Sequence, residues 1–300
     1  MRRWIASLTA LVLTACGPAG EAGDPSAWPG APKPALWKIA DADTTIYFFG
    51  TIHLLPPALD WQTPAFTAAL TEARAVYLEA DTEIPAAEIN AIVQRTAMLP
   101  PDRNLSDLLS PAQHEALRAA ASRLDVSPVA LERMRPWYAG VLLSDVAIRN
   151  TGFAQEYGVE AVLRPAARNA GKELRYLETV DAQLSAYTIL SNDVQVRLLD
   201  ATVKELDTAG PSLTEMVNAW RSGDDATLGR LVIDEQLTTQ PEIYETLMVR
   251  RNAAWAPRLD TVMRQETGTF LVAVGAGHLI GPDSVIVLME RLGHRPERVQ

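Results

Sequence analysis

Cysteine, histidine and clustered basic charge are all scarce in this sequence. Cys16 is the only cysteine among 300 residues, so the chain cannot form an internal disulfide, and a zinc site built from several thiolates is excluded. Lys and Arg number 27 against 37 Asp and Glu, which gives a formal net charge of −10, and the basic residues form no long run. Nucleic acid binding needs a concentrated basic surface, and we therefore expect no nucleic acid partner.

The N-terminus lacks the run of about 20 apolar residues that a membrane-spanning helix needs. It has a shorter one: Arg2 and Arg3 precede an apolar stretch at residues 4–15 that only Ser and Thr interrupt. This is the pattern of a signal peptide. The stretch runs into Leu-Thr-Ala-Cys at residues 13–16, which resembles a bacterial lipobox. We therefore predict a signal peptide at residues 1–15 and lipidation of Cys16.

The segment after Cys16 has the composition of a tether. Half of residues 17–34 are Gly or Pro, which is typical of an extended, poorly ordered linker. Gly17, rather than Asp, follows the predicted lipidated cysteine, and in a Gram-negative cell this favours sorting to the outer membrane. We expect residues 16–35 to tether a globular domain, residues 36–300, to the membrane through a lipid anchor, so that the domain faces the periplasm.

Apolar runs at both ends of this domain have the pattern of buried strands. Residues 46–49 and 75–79 are rich in β-branched and aromatic residues, and a helical pattern at residues 64–74 lies between them, which is a βαβ order. Residues 174–178 and residues 269–274 are further candidate strands. These runs predict a sheet.

Helical patterns occupy most of the remaining chain. Residues 86–150 are rich in Ala, Leu and Arg, helices are expected again from 182 to 264, and a closing helix is expected at about 282–292. Helix starts or breaks are marked by Gly or Pro at residues 110–111, 127–128, 210–211, 223–225 and 240–241. We predict a mixed α/β fold, in which strands from the N- and C-terminal regions form a central mixed sheet around a large helical insertion.

Two of the four histidines share one local context. His53 ends the sequence Gly-Thr-Ile-His and His278 ends Gly-Ala-Gly-His, and each motif follows an apolar strand. A buried strand is rigid and its glycine lets the chain turn sharply, so each imidazole is brought to the edge of the sheet. Ligands of open α/β sheets gather at the carboxyl ends of strands. We expect His53 and His278 to form one site, whereas His114 is expected on a solvated helix face and His294 is given no catalytic role.

The paired motifs and the blocks between them resemble the TraB/GumN family, to which the TIKI proteins are related. The resemblance extends over residues 36–299. The matching blocks are residues 36–81, Gly158-Val159-Glu160, residues 170–179, Arg250-Arg251-Asn252 and residues 273–279. Arg250 stands where the family has Glu, and Glu160 stands where Asp is common, so a salt bridge from the family's Glu is not expected here.

The resemblance implies a site built from His53, Glu79 and His278, with Arg251 and Glu160 nearby. TIKI proteins are described as metal-dependent proteases, while erythromycin esterases, which have a similar fold, use a histidine base. We therefore predict a lipid-anchored hydrolase of the cell envelope, a metal-dependent peptidase of TIKI type, in which His53, His278, Glu79 and Glu160 bind Mn²⁺, Co²⁺ or Zn²⁺ and activate water. Without a metal, the same residues would supply a general base and its orienting carboxylate. Arg251 would stabilise an oxyanion or hold a substrate carboxylate.

The alternative is an envelope protein of the same family that does no chemistry and binds or sequesters a peptide or polysaccharide component. Glu79 would then cap the turn after its strand, and Arg251 would be a charge on a helix surface. Glu160 and Glu178 fit either a site or a structural ion pair, and their roles stay open at this point.

Overall fold

A computed structural model describes residue 28 and residues 30–234, 237 and 239–300 of the chain. Within them, six strands form one mixed sheet in the order β4-β3-β5-β2-β1-β6. The strands are β1 (Leu36–Ala40), β2 (Thr44–Thr51), β3 (Ala75–Leu78), β4 (Glu173–Tyr176), β5 (Gly268–Gly275) and β6 (Glu297–Arg298). The predicted signal peptide and Cys16 lie outside the described residues, as does most of the predicted tether.

The direction of the strands places four carboxyl ends at one edge of the sheet. β2, β3, β4 and β5 are mutually parallel, whereas β1 pairs antiparallel with β2 and β6 pairs antiparallel with β1. In β2 and β5 the register pairs Thr51 with Gly275, so the two strands that precede the Gly-x-x-His histidines end side by side. The α/β fold with a mixed sheet is confirmed, with the difference that β4 comes from the middle of the chain.

Both faces of the sheet are buried, which explains why β2 and β5 are continuous apolar runs rather than alternating ones. Phe49, Leu271 and Ala273 belong to the core on one face, and Phe48 and Val272 to the core on the other. Side chains of the helix before β5 and of the closing helix cover the second face. The strand ends are therefore held rigidly from both sides.

Helices fill the two long stretches on either side of β4, and one further helix lies between β2 and β3 and another follows β5. They are α1 (Pro64–Glu72), α2 (Ala86–Thr96), α3 (Pro111–Arg123), α4 (Pro128–Leu131), α5 (Pro136–Arg149), α6 (Val159–Asn169), α7 (Val180–Thr188), α8 (Asn192–Glu205), α9 (Ala209–Ser222), α10 (Asp225–Gly229), α11 (Pro241–Tyr244), α12 (Arg250–Gln265) and α13 (Val285–Arg291). Short 3-10 segments occur at Leu105–Leu108, Gln155–Tyr157, Leu206–Thr208 and Ala276–Leu279, and π-helical segments at Arg230–Asp234 and Glu245–Val249. In the described part of the chain, no helix is long and apolar enough to cross a membrane.

Local capping signals predicted several helix ends correctly. The Ser110 side chain accepts a hydrogen bond from the backbone of Gln113 at the start of α3, and Gly223 ends α9 in the left-handed conformation, with φ of 70°. The predicted break at Gly210 and Pro211 lies a few residues earlier in the structure, since α8 ends at Glu205, a 3-10 segment covers Leu206–Thr208, and both predicted residues lie in the first turn of α9. A proline is tolerated there because the first backbone N–H groups of a helix have no partner within the helix.

The predicted strand at residues 174–178 starts one residue late and ends two residues too far, because β4 covers Glu173–Tyr176. The backbone nevertheless stays beside β3: the N–H of Leu177 donates to the carbonyl of Leu78, and that of Glu178 donates to the carbonyl of Glu79 at 2.8 Å. The Glu79 and Glu178 side chains therefore start from neighbouring positions at the carboxyl edge of the sheet.

Candidate active site

Four ionisable side chains follow the carboxyl ends of the four parallel strands. His53 follows β2, Glu79 follows β3, Glu178 follows β4, and His278 lies in the 3-10 segment after β5. Arg251, in the first turn of α12, contacts three of these four side chains. The sheet edge thus gathers residues that are far apart in the sequence, as expected for an open α/β sheet.

His278 is buried, and both of its ring nitrogens have a partner. Nδ1 lies 2.6 Å from Oδ1 of Asn252, whose Nδ2 donates to the carbonyl of Asp283 at 2.8 Å and so fixes the orientation of the amide. Nδ1 therefore carries the proton, and Nε2 accepts a hydrogen bond from Nη1 of Arg251 at 3.0 Å. Burial and the Arg251 charge lower the pKa of His278 to about 3, so this imidazole is neutral.

Arg251 bridges the two carboxylates and the buried histidine. Nη2 donates to Oε2 of Glu79 and to Oε1 of Glu178, each at 2.6 Å, and Nε donates to Glu178 at 3.0 Å. Nη1 donates to the carbonyl of Leu247 at 3.2 Å and to Nε2 of His278 at 3.0 Å. A guanidinium has five N–H donors, and all five are used here. Arg251 therefore has no donor left for a substrate in this arrangement, and it holds the other side chains in position.

Glu79 is a buried carboxylate that is kept ionised. Oε1 accepts the backbone N–H of Gly275 at 2.7 Å, and Oε2 accepts Nε2 of Gln183 at 2.8 Å as well as the Arg251 guanidinium. Burial alone would raise the pKa of Glu79, but the Arg251 charge, with smaller contributions from the two neighbouring histidines and the Gly275 hydrogen bond, outweighs it and holds that pKa well below its usual value. Glu79 is thus a fixed negative charge and a weak base.

Of the ionisable side chains in the cluster, that of His53 is the most exposed to solvent. Its side chain is 25% exposed, and its Nδ1–H donates to Oε1 of Glu160 at 2.8 Å. The hydroxyl of Thr51 donates to the same carboxylate oxygen. Burial lowers the pKa of His53, but the negative charges of Glu160 and Glu79 have the larger combined effect and raise it to about 9.

Gly158 allows Glu160 to approach His53. A Cβ atom at Gly158 would lie 2.1 Å from the carbonyl oxygen of His53 and 2.7 Å from its carbonyl carbon. Both distances are too short for any residue other than glycine. The next residue, Val159, donates its N–H to the carbonyl of Ile52 at 3.1 Å, so the start of α6 is fixed against the His53 loop. The Gly-x-Glu element therefore places the Glu160 carboxylate beside the imidazole.

Gly275 leaves a small space at the centre of the cluster. A Cβ atom there would lie 3.1 Å from Oε1 of Glu79, 3.6 Å from Nε2 of His53 and 3.6 Å from Cδ2 of His278. Nε2 of His53 has no hydrogen-bond partner among the described residues, and it faces this space. A substrate atom or a water molecule near Gly275 would meet one unpaired imidazole nitrogen and one carboxylate oxygen.

The donor atoms fit a divalent metal poorly as they stand. A metal bound to His278 needs the lone pair of one ring nitrogen, but Nδ1 carries a proton and Nε2 is engaged with Arg251. Within the described residues, no group of three or more His, Cys, Asp or Glu side chains converges as metal binding requires. Metal binding by His53, Glu79, Glu160 and His278 would require Arg251 to move away from His278.

All the residues predicted for the site lie at this edge of the sheet: His53, Glu79, Glu160, Arg251 and His278. Glu178, whose role was open, joins them through Arg251. Asn252 and Gln183 were not predicted for the site, and Gly275 was predicted only as the turn glycine of its Gly-x-x-His motif. Asn252 had a sequence signal, since it follows Arg251 in the Arg-Arg-Asn block, whereas Gln183 lies on a helix with no motif around it. His114 is not on a plainly solvated face, because it pairs with Glu132 at 3.1 Å.

A cluster of histidines and carboxylates at the carboxyl edge of a mixed sheet defines the class of site, and comparison with known sequences defines the family. The TraB/PrgY/gumN family matches residues 35–298. The chain therefore belongs to this family, as the resemblance of its motifs predicted.

The relatives found by sequence comparison are described as uncharacterized. The chain is 28% identical to "Uncharacterized protein YbaP" of Escherichia coli (strain K12) over 206 residues, which cover 67% of this chain and 74% of the relative. The protein of the same name from Shigella flexneri matches to the same extent. An "Uncharacterized protein" of Treponema pallidum (strain Nichols) is 25% identical over 270 residues, covering 85% of this chain and 80% of the relative. No solved structure matches.

Proposed function

We propose that this chain is a hydrolase of the cell envelope that cleaves an acyl bond, with peptides as the substrate class, and that His53 is its general base. The observation that carries the proposal is the unpaired Nε2 of His53, which faces the space at Gly275 while Glu160 holds Nδ1. His278 has both nitrogens engaged, and Glu79 is held ionised, so neither is suited to exchange a proton near neutral pH.

In the proposed reaction, Nε2 of neutral His53 accepts a proton from water as the water oxygen bonds to the substrate carbonyl carbon. Glu160, which accepts the Nδ1–H, stabilises the imidazolium that forms. When the tetrahedral intermediate collapses, the carbon–nitrogen or carbon–oxygen bond breaks, and the imidazolium returns its proton to the leaving amine or alkoxide. His53 is then neutral again, and no other reactant is needed.

We propose hydrolysis without a metal in preference to the metal-dependent peptidase predicted from the family resemblance. The support is that Arg251 donates a hydrogen bond to Nε2 of His278, the ring nitrogen that a metal would need. The role proposed for Arg251 changes accordingly, from contact with the substrate to positioning of Glu79 and Glu178.

A second candidate function, a binding protein without chemistry, is favoured by the raised pKa of His53. With a pKa of about 9, His53 is mostly an imidazolium at neutral pH, and its Nε2–H would point at the space beside Gly275 as a hydrogen-bond donor. Such a group suits an anionic part of a peptide or polysaccharide component.

Peptide cleavage separates the two candidates. The full-length protein, purified in detergent, would be incubated with a mixture of unmodified synthetic peptides with and without a chelator, and products would be detected by mass spectrometry. We expect cleavage by the wild type that persists with chelator and is lost in His53→Ala. His114→Ala is the matched control, because His114 is 31% exposed and also pairs with a carboxylate, at 3.1 Å, and it should cleave like the wild type. Peptide binding without cleavage would favour the binding protein.

We also propose that the protein is attached to the membrane through lipidated Cys16 and faces the periplasm, most simply from the outer membrane. The sequence around Cys16 supports this, and Gly17 after it supports the outer membrane. Fractionation of cells that express the wild type or Cys16→Ala tests the anchor. The wild type should be found in the outer membrane fraction and carry an acyl chain, and equal membrane association of the variant would contradict the anchor.

A further inference from the structure

Three acceptor atoms from three different side chains contact the guanidinium of Arg251. Oε2 of Glu79 and Oε1 of Glu178 each lie 2.6 Å from Nη2, and Nε2 of His278 lies 3.0 Å from Nη1. The three residues follow three neighbouring parallel strands, β3, β4 and β5. Carboxylate oxygens and imidazole nitrogens are also ligands of divalent metals.

Nε2 of His278 and one oxygen of Glu79 are close enough to share an ion. Metal–ligand bonds to nitrogen and oxygen are about 2.0–2.2 Å long, so two ligands of one ion lie no more than about 4 Å apart. Nε2 of His278 lies 3.9 Å from Oε1 of Glu79, the oxygen that accepts the Gly275 N–H, whereas Arg251 contacts Oε2. With Arg251 in place the described residues show no converged group of three metal ligands, so an ion would need the guanidinium removed and the carboxylates reoriented around the place that it occupies.

The electrostatic role is the same for either cation. The Glu79, Glu178 and Arg251 side chains are at most 10% exposed. Two buried carboxylates that face each other without a cation are unfavourable, because each has lost its hydration. Arg251 supplies that positive charge, and three of its five N–H groups donate directed hydrogen bonds to the two carboxylates.

We infer that Arg251 is the resident cation of this site and takes the place of a divalent metal between Glu79, Glu178 and His278. Two consequences follow. The wild-type protein holds no metal that depends on His278, and removal of the Arg251 side chain exposes a three-ligand set that binds one. The inference is independent of the hydrolysis proposed above, because metal content is measured without a substrate.

The test compares metal binding in the full-length wild type, His278→Ala, Arg251→Ala and the double variant of both. Each protein is incubated with Co²⁺ or Zn²⁺ and freed of excess metal, and its metal content and the visible absorption of Co²⁺ are measured. We expect the wild type and His278→Ala to have equal metal content. Arg251→Ala should gain about one equivalent with a new Co²⁺ absorption, and the double variant should lose it.

Two results would overturn the inference. One is a full equivalent of metal in the wild type that disappears in His278→Ala, and the other is no gain in Arg251→Ala. If Arg251→Ala is poorly folded, thermal unfolding gives the same information: Zn²⁺ should raise its midpoint and leave the wild type unchanged, since a ligand stabilises only the state that binds it. Arg251→Lys is the control. Its ammonium group keeps a positive charge between the carboxylates, so this variant should gain no metal.

Discussion

The carboxylate of Glu160 lies 2.8 Å from Nδ1 of His53, and this pair is the part of the cluster that faces solvent. It joins two elements that are distant in sequence, the loop after β2 and the first turn of α6. Because the contact involves a charge, it affects both the orientation of the imidazole and its basicity.

Replacing Glu160 with Gln should lower the pKa of His53. The charges of Glu160 and Glu79 oppose the effect of burial and together raise that pKa to about 9, and Glu160 has the larger effect, so its removal should lower the pKa. The measurement is an NMR titration of the His53 imidazole, assigned by comparison with His53→Ala. If His53 is the general base, the rising limb of the pH profile of cleavage should move to lower pH by a similar amount. Glu132→Gln, which removes the partner of His114, should leave the His53 titration unchanged; an equal shift in both variants would contradict the pairing.

Replacing Gly158 with Ala should displace the His53 loop. The new Cβ would lie 2.1 Å from the carbonyl oxygen of His53. Neither atom can rotate away as the end of a side chain could, so the clash is relieved only if the backbone of the His53 loop or of the start of α6 moves. We expect a loss of thermal stability together with a changed NMR signal of the His53 imidazole. Gly140→Ala is the control. Gly140 lies within α5, and its Cβ would meet the side-chain oxygen of Thr202 in α8 at an ordinary 3.5 Å. Unchanged His53 signals in Gly158→Ala would show that the contact does not position the loop.

The sequence predicted the parts of this site that depend on local pattern. Continuous apolar runs that end in glycine located β2 and β5, and the repeated Gly-x-x-His motif located His53 and His278. Family resemblance added Glu79, Arg251 and Glu160. The two-residue strand β6 has no pattern of its own and depends on pairing with β1.

The functions of the other residues depend on contacts that no local pattern encodes. The position of α12 relative to the sheet decides that Arg251 bridges Glu79 and Glu178 rather than facing solvent. Arg250, the preceding residue, is exposed and pairs with Glu245, so adjacent arginines of one motif have different environments. Asn252 sets the protonated nitrogen of His278 in the same way, through a contact between α12 and the segment after β5.

That difference between adjacent arginines predicts different costs of substitution. Arg251→Met leaves Glu79 and Glu178 buried without their cation, which typically destabilises a protein by about 3–5 kcal/mol. Arg250→Met removes an exposed ion pair with Glu245 at 3.3 Å and should change stability little. Urea unfolding of both variants and the wild type measures the two changes in the free energy of unfolding. Losses of similar size would contradict a central role for Arg251 in holding the carboxylates.

The pH dependence of stability should reflect two histidines with opposite pKa shifts. The pKa of His278 is lowered to about 3, so below pH 6.5 the unfolded chain binds a proton that the folded chain does not, and stability is lost as the pH falls. The pKa of His53 is raised to about 9, so its contribution is present below pH 6.5 and is lost as the pH rises through 9. Both contributions are therefore present together near pH 6.5.

Urea unfolding of the wild type and His278→Gln as a function of pH measures the acid side. One proton corresponds to a slope of at most about 1.4 kcal/mol per pH unit in the free energy of unfolding. Burial raises the pKa of Glu178, which therefore also titrates on the acid side, so the difference between the two proteins isolates His278. The wild type should lose stability faster than His278→Gln as the pH falls below 6.5. Parallel curves would show that His278 is not held neutral by the fold.

Replacing Gly275 with Ala should impair the site more than the fold. Gly275 has φ of −47° and ψ of 133°, which alanine adopts without strain, so the backbone does not require glycine. The added methyl group would fill the space between His53 and Glu79, 3.6 Å from Nε2 and 3.1 Å from Oε1. If a substrate atom or a water molecule reacts in that space, cleavage should fall by at least about tenfold, while the unfolding midpoint changes little. Gly229→Ala is the matched control, because its Cβ would meet Ile280 at a similar 3.2 Å away from the cluster. Full activity in a well-folded Gly275→Ala would place the reacting group elsewhere.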